Sequence, residues 1–177
     1  MRQNQIWAPW RMEYIAGEDR DTPGESGGTP FCFICRAGES DDDRRHWVVA
    51  RFPQSLVILN RYPYNNGHIL VATGRHIGRW ESLTREERIE IGEVIALCME
   101  LLQSTLRPEG VNAGVNIGTV AGAGLPDHLH WHIVPRWSGD TNFMPVIADA
   151  KIIPQSLEAV WCLFREKLPA LRGRYGL

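Results

Sequence analysis

The spacing of apolar positions changes along the chain, and each change marks an element. From Trp47, WVVARF and SLVILN are short runs rich in β-branched residues and predict two strands. RYPYNNG follows, with Asn66-Gly67 as its turn signal, and HILVAT (68–73) predicts a third strand. SLVILN and HILVAT are natural hairpin partners. The period then becomes helical: Ile91, Val94, Ile95, Cys98, Leu101 and Leu102 fall on one face. Thr84 with Glu87 forms a capping box ahead of this run, and Pro108 and Gly110 close it. This spacing makes Cys98 a core residue. Val111–Ile117 reads as a fourth strand and Asp127–Pro135 as a fifth, with the glycine-rich Gly118–Gly124 between them. A last amphipathic helix over 154–168 starts at Pro154; Trp161, Phe164 and Cys162 read as its packing residues. Strands gathered around one long helix, without βαβ alternation, favour an α+β fold with an antiparallel sheet.

Before the first strand the texture differs. Trp7, Trp10 and Tyr14, with Pro9 between the tryptophans, suggest an arm packed on the domain or on a second subunit. AGEDRDTPGESGGTP (16–30) reads as loop or linker. The expected organisation is an arm and linker over 1–30, a core over 31–137 and an extension with a helix over 138–177. A chain of 177 residues can bury a core without disulfides. Apolar residues at 44% and charged residues at 23% fit a soluble globular protein. Nineteen Lys and Arg against 21 Asp and Glu argue against a nucleic-acid polymer as partner, but leave room for a small anionic substrate. No apolar run approaches the roughly 20 residues of a membrane span, so no membrane partner is expected. The first twenty residues lack a signal-peptide core, which points to the cytoplasm.

Two clusters carry the chemistry. In His128-Leu-His130-Trp-His132, strand alternation puts three imidazoles on one face and Leu129, Trp131 and Ile133 on the other. Three incidental histidines, a metal centre using all three, and a nucleophilic histidine supported by its neighbours are the competing readings. The second cluster is Cys32-Phe-Ile-Cys35. Two thiolates at this spacing can grip one zinc ion but need two further ligands, and a redox pair shares the spacing. The glycine-rich stretch is neither a Walker A motif nor GxGxxG. Glycines let backbone amides approach phosphate oxygens closely.

His-φ-His-φ-His-φ-φ, with Leu129, Trp131, Ile133 and Val134 as the apolar positions, resembles the signature of the histidine triad (HIT) superfamily of nucleotide hydrolases and transferases. Asn60, Gly67-His68-Ile-Leu-Val, and Asn116 with Gly118 support the resemblance upstream. Trp-Ala-Pro-Trp-Arg near the N-terminus and Pro-Arg-Trp-Ser-Gly-Asp-Thr-Asn-Phe after the triad are similar to one branch, the bacterial diadenosine tetraphosphate phosphorylases or ATP adenylyltransferase-like HIT proteins. The resemblance implies a sheet of about five antiparallel strands with one long helix, and a homodimer.

It also implies roles. His130 would be the nucleophile that attacks the α-phosphorus and forms a nucleotidyl-histidine intermediate. His132 would bond the α-phosphate oxygens and help protonate the leaving oxygen. His68, Asn60, Asn116, Gly118, Gly122, Gly124 and Trp137 would join the nucleotide site. Many family hydrolases carry Gln four residues before the first triad histidine; Gly124 here favours phosphate over water as acceptor. A zinc-bearing subset has a cysteine pair near the N-terminus. Its remaining ligands correspond to His76 and His128, giving a structural zinc at Cys32, Cys35, His76 and His128. The implied function is a nucleotidyl transferase or phosphorylase cleaving dinucleoside polyphosphates. The alternatives are a hydrolase of nucleoside phosphoramidates or nucleotide conjugates, a non-catalytic nucleotide-binding module, and a metal-dependent hydrolase.

Overall fold

The structure, a computed structural model, describes residues 32–147 and 151–177. The tryptophan-bearing arm lies outside the described residues. The chain divides into two compact units, Cys32–Asp140 with Ile153–Leu177, and Met1–Phe31 with Thr141–Ile152. Of the second unit, the described part holds one short helix, Met144–Ile147 (α3). The C-terminal helix belongs to the first unit.

Five strands build its sheet: β1 (Val48–Arg51), β2 (Ser55–Leu59), β3 (Ile69–Thr73), β4 (Gly110–Val115) and β5 (His130–Arg136). Their order is β1-β2-β3-β5-β4 and every pairing is antiparallel. The β2–β3 hairpin pairs Leu56 with Ala72 and Ile58 with Leu70. The sheet is thus the expected one, and β5 enters between β3 and β4.

Alternation gives the sheet two different faces. One carries Val57, Leu59, Ile69, Val71, Trp131 and Ile133 and packs on two helices, α2 (Arg85–Thr105) and α4 (Leu157–Arg172). From α2 come Ile91, Val94, Leu97, Cys98, Leu101 and Leu102; from α4 come Val160, Phe164, Leu168 and Leu171. Each fully buried Val, Leu, Ile or Phe among them contributes about 1.5–3 kcal/mol over its exposed state. Cys98 is in this core, as its spacing predicts, and burial pushes its thiol up to about 12. On the other face Leu56, Ile58, Ala72 and Val48 lie beneath α1 (Phe33–Glu39), which contributes Ile34 and Ala37.

The start of α2 is built as the sequence suggests. Thr84 Oγ1 accepts the Glu87 amide at 3.2 Å, and Glu87 Oε2 accepts the Thr84 amide at 2.7 Å. Arg75, two residues past β3, adds a bidentate bond to the same carboxylate at 2.5 and 2.9 Å. Loop, helix and strand end are thereby joined through one buried side chain.

Four details differ from the pattern. β5 starts at His130, not Asp127, because the His128 amide turns back to the Leu125 carbonyl while Leu129 bonds Ile77 and Thr73. β4 ends at Val115, two residues short of Ile117. The last helix starts after its Ser156 cap and continues through Pro169 to Arg172. Pro169 lies in the final turn, where it removes one amide bond to the preceding turn, and buried Leu171 holds that turn against the core. Cys162 is a correction: it is exposed. The stripe through Val160, Phe164, Leu168 and Leu171 leaves position 162 on the opposite side of the helix.

Candidate active site

Register fixes the neighbours of the central histidines. His130 lies opposite Ala72, and His132 lies between Leu70 on β3 and Gly114 on β4. Directly opposed residues share a face, so these positions surround the two imidazoles. The rings of His130 and His132 are 5.2 Å apart at 62°. His130 Nδ1 is 2.8 Å from the His128 carbonyl, which can only accept, so Nδ1 carries the proton and Nε2 carries the lone pair. Burial pulls its pKa below the usual 6.5, which keeps the ring neutral. Phe33 of α1 meets it edge-on at 6.5 Å.

A second chain of bonds orders His132. His68, 1% exposed just before β3, receives the Tyr64 amide on Nδ1 at 3.0 Å, with Asn60 Nδ2 at 3.3 Å from the same atom. Its Nε2–H therefore donates to His132 Nδ1 at 3.0 Å. That leaves the His132 proton on Nε2. Asn60 also accepts the Tyr62 amide at 3.0 Å, so both ends of its amide serve the loop. The Tyr64 ring stacks on His132 with centroids 5.6 Å apart and 18° between planes. Tyr64 is absent from the sequence-based set. The visible signal was an aromatic in RYPYNNG between Asn60 and His68, and only the path of the loop turns it toward the triad.

Extending the β4–β5 register by one residue sets Asn116 opposite His130. Asn116 Nδ2 reaches the Gly122 carbonyl at 3.4 Å and ties the glycine-rich loop to the strand end. Gly118 and Gly122 both have positive φ, 83° and 88°, and bracket a 3-10 turn over Thr119–Ala121. The amides of Ala121, Gly122 and Ala123 bond carbonyls within this turn. Gly124 is exposed on the approach to His128. Trp137 lies one residue past β5, some five residues or roughly 17 Å of strand from His132. Its indole donates to the Arg107 carbonyl at 3.3 Å, and it is not brought against the histidines.

The remaining candidates form a separate cluster. One ligand atom from each of Cys32, Cys35, His76 and His128 lies within 4.8 Å of the others, a group able to hold a metal ion. His128 Nδ1 is 3.2 Å from Cys32 Sγ and 3.5 Å from Cys35 Sγ; His76 Nδ1 is 3.2 Å from Cys35 Sγ. A tetrahedron with bonds of about 2.0–2.3 Å has N–S edges near 3.5 Å, so the cluster fits zinc with little adjustment. The His128 Nε2–H donates to the Thr73 carbonyl at 2.8 Å, which bares Nδ1 toward the sulphurs. Cys32 caps α1, and its sulphur accepts the Cys35 amide at 3.4 Å. Burial first, and the Cys32 thiol second, push Cys35 up to about 12. Two ionised sulphurs this close need a cation between them. Burial lowers His128 to about 4, favouring the neutral ring that a metal binds. Gly78 lets the His76 segment approach, since a Cβ there would lie 2.5 Å from the Pro126 carbonyl oxygen.

Residues 43–139 match the HIT domain family. The chain belongs to the HIT family. This HIT protein is 37% identical over 153 residues to the AP-4-A phosphorylase of Mycobacterium tuberculosis, spanning 86% of this chain and 78% of that one. Its fold is similar to that of a Zn-bound histidine triad family protein from Mycobacterium smegmatis. That match has a TM-score of 0.66 and 23% identity, covering 83% of this chain and 99% of the other. A hypothetical histidine triad nucleotide-binding protein from Sulfolobus tokodaii has a TM-score of 0.63 at 24% identity, covering 80% and 94%.

Proposed function

We propose that this HIT protein is an enzyme of the AP-4-A phosphorylase kind, cleaving dinucleoside polyphosphates through a nucleotidyl-histidine intermediate. The observation that carries the chemistry is the His130–His128 bond: it holds the proton on Nδ1 and leaves the lone pair on Nε2. Kinship to a phosphorylase at 37% identity supplies the substrate class.

His130 Nε2 attacks the α-phosphorus and the bond to the bridging oxygen breaks. With diadenosine tetraphosphate, ATP leaves and an adenylyl group stays on the imidazole. As the N–P bond forms the ring becomes positive, and the His128 carbonyl holds the Nδ1 proton throughout. His132 donates its Nε2–H to the phosphate oxygens and to the departing oxygen, while His68 keeps that proton on the correct nitrogen. Asn116 and the Gly118–Gly124 loop border the phosphates. Phosphate then takes the adenylyl group as ADP, and the free imidazole returns.

Zinc at Cys32, Cys35, His76 and His128 would be structural, tying α1 to the catalytic strand without entering the reaction. A second copy would add at β4, which forms one edge of the sheet, to give a homodimer. Reduced thiols at the metal cluster suit the cytoplasm. Among the described residues no helix is long and apolar enough to cross a membrane.

The test is product analysis on diadenosine tetraphosphate. ATP with ADP, formed only when phosphate is present, is the expected result. AMP as a product would make the enzyme a hydrolase, and no turnover with any dinucleoside polyphosphate would overturn the reading.

A further inference from the structure

We propose that Tyr64 is a positioning residue for His132 and sets the rate of the chemical step more than the affinity for nucleotide. This rests on the roles given to His130 and His132 above and extends them to a residue in neither motif.

The residue acts on both partners of one hydrogen bond. Its amide donates a hydrogen bond to His68 Nδ1 at 3.0 Å, so His68 must present Nε2–H to His132. Its ring lies nearly parallel to His132 at 5.6 Å and tilted by 34° over His68 at 4.8 Å. An imidazole turns about χ2 in a broad, roughly two-fold well. A half-turn of His132 would replace Nδ1 by a carbon opposite His68 and move the working proton away from the phosphate side. A flat aromatic wall on one face, with His68 and His130 on other sides, narrows that rotation.

The wall is itself held in place. Before it, the Tyr62 amide is bound by Asn60 Oδ1 at 3.0 Å. After it, buried Asn65 donates to the Pro135 carbonyl at 3.0 Å and to Asp140 Oδ2 at 2.8 Å, which fastens the loop to the end of β5. The hairpin loop and the catalytic strand therefore cannot shift independently at this point. Tyr64 is 37% exposed, which places it at the rim of the site rather than inside the core. Its replacement should leave the fold intact.

The experiment compares Tyr64→Phe and Tyr64→Leu with the wild-type protein, after circular dichroism and melting show all three folded. Steady-state rates are measured on diadenosine tetraphosphate with phosphate. In parallel, nitrogen-15 NMR of the histidine rings is recorded without nucleotide. Tyr64→Leu should lower kcat about 10- to 100-fold, as expected for misplaced reacting groups, with KM changed less than about threefold. Tyr64→Phe should keep kcat within about threefold. In Tyr64→Leu the two His132 nitrogens should move toward averaged values, reporting loss of a single tautomer.

A Leu variant with wild-type kcat overturns the proposal. So does a raised KM with unchanged kcat, which would make the ring a wall for the nucleotide. A Phe variant as slow as Leu overturns it too, by assigning the work to the hydroxyl. If the wild-type protein turns over no dinucleoside polyphosphate, the functional reading fails. The ring signals still decide the positioning role: averaging in Tyr64→Leu supports it, and unchanged signals overturn it.

Discussion

Four imidazoles lie within a short stretch of sheet, and the partners around them dictate where each proton sits. His128 uses its ring and its backbone for different tasks. Nε2 is bound to Thr73, Nδ1 faces two sulphurs, and the carbonyl orients His130. His130→Ala removes the proposed nucleophile while sparing the His128 ring and its cluster. Turnover should fall by about 10⁴-fold or more, with zinc content and melting temperature close to wild type, as checked by kinetics and metal analysis. Loss of both activity and metal would mean the two clusters are not separable. At this scale the sequence was informative wherever spacing alone sets direction. His130 and His132 share a face because strand side chains alternate. Tyr64 stayed hidden because its stacking depends on how the loop from Asn60 to His68 is folded.

At the scale of elements, the capping box of α2 is also a junction. Glu87 is 2% exposed in its side chain and receives Arg75 as well as the helix cap. Arg75 first, and the Thr84 amide after it, hold its pKa near 2 against an ordinary 4.5. A depressed folded value means the contribution is complete above about 4.5. It is lost as pH falls from there toward about 2. Glu87→Gln keeps the shape but not the charge and should cost about 1.5–3 kcal/mol at neutral pH. In urea unfolding the gap between variant and wild type should shrink steadily below that upper value; a gap independent of pH would refute the assignment. Thr84 and Glu87 could be read from sequence because a cap is local. Arg75 could not, since its approach depends on where β3 ends. Element limits suffered for a similar reason: Pro169 looks like a stop, yet burial of Leu171 carries the helix past it.

At the scale of the whole unit, the metal cluster joins segments far apart in the chain. Cys35 is separated by 41 residues from His76 and by 93 from His128. Spacing alone exposed the cysteine pair; the two histidines came from family resemblance, and only the folded sheet brings all four together. Binding at such a site adds directly to folding stability. Cys32→Ser, or prolonged chelation, should lower the melting temperature by about 10 °C, at roughly 2–4 °C per kcal/mol for a chain of this size. Turnover per folded molecule should change much less, measured below the new melting point. If chelation instead stops catalysis while the fold survives, the metal has a part in the chemistry.

Gly114 gives the site room to change. It faces His132 across the β4–β5 pair, and a Cβ built there meets nothing within 4 Å. The strand thus carries a hydrogen where any other residue would carry carbon, beside the imidazole proposed to handle the leaving oxygen. If His132 works as proposed, a β-carbon at position 114 takes volume from the substrate side and meets no protein atom within 4 Å. Diversification of specificity on this scaffold could begin there without disturbing a single hydrogen bond of the histidine network.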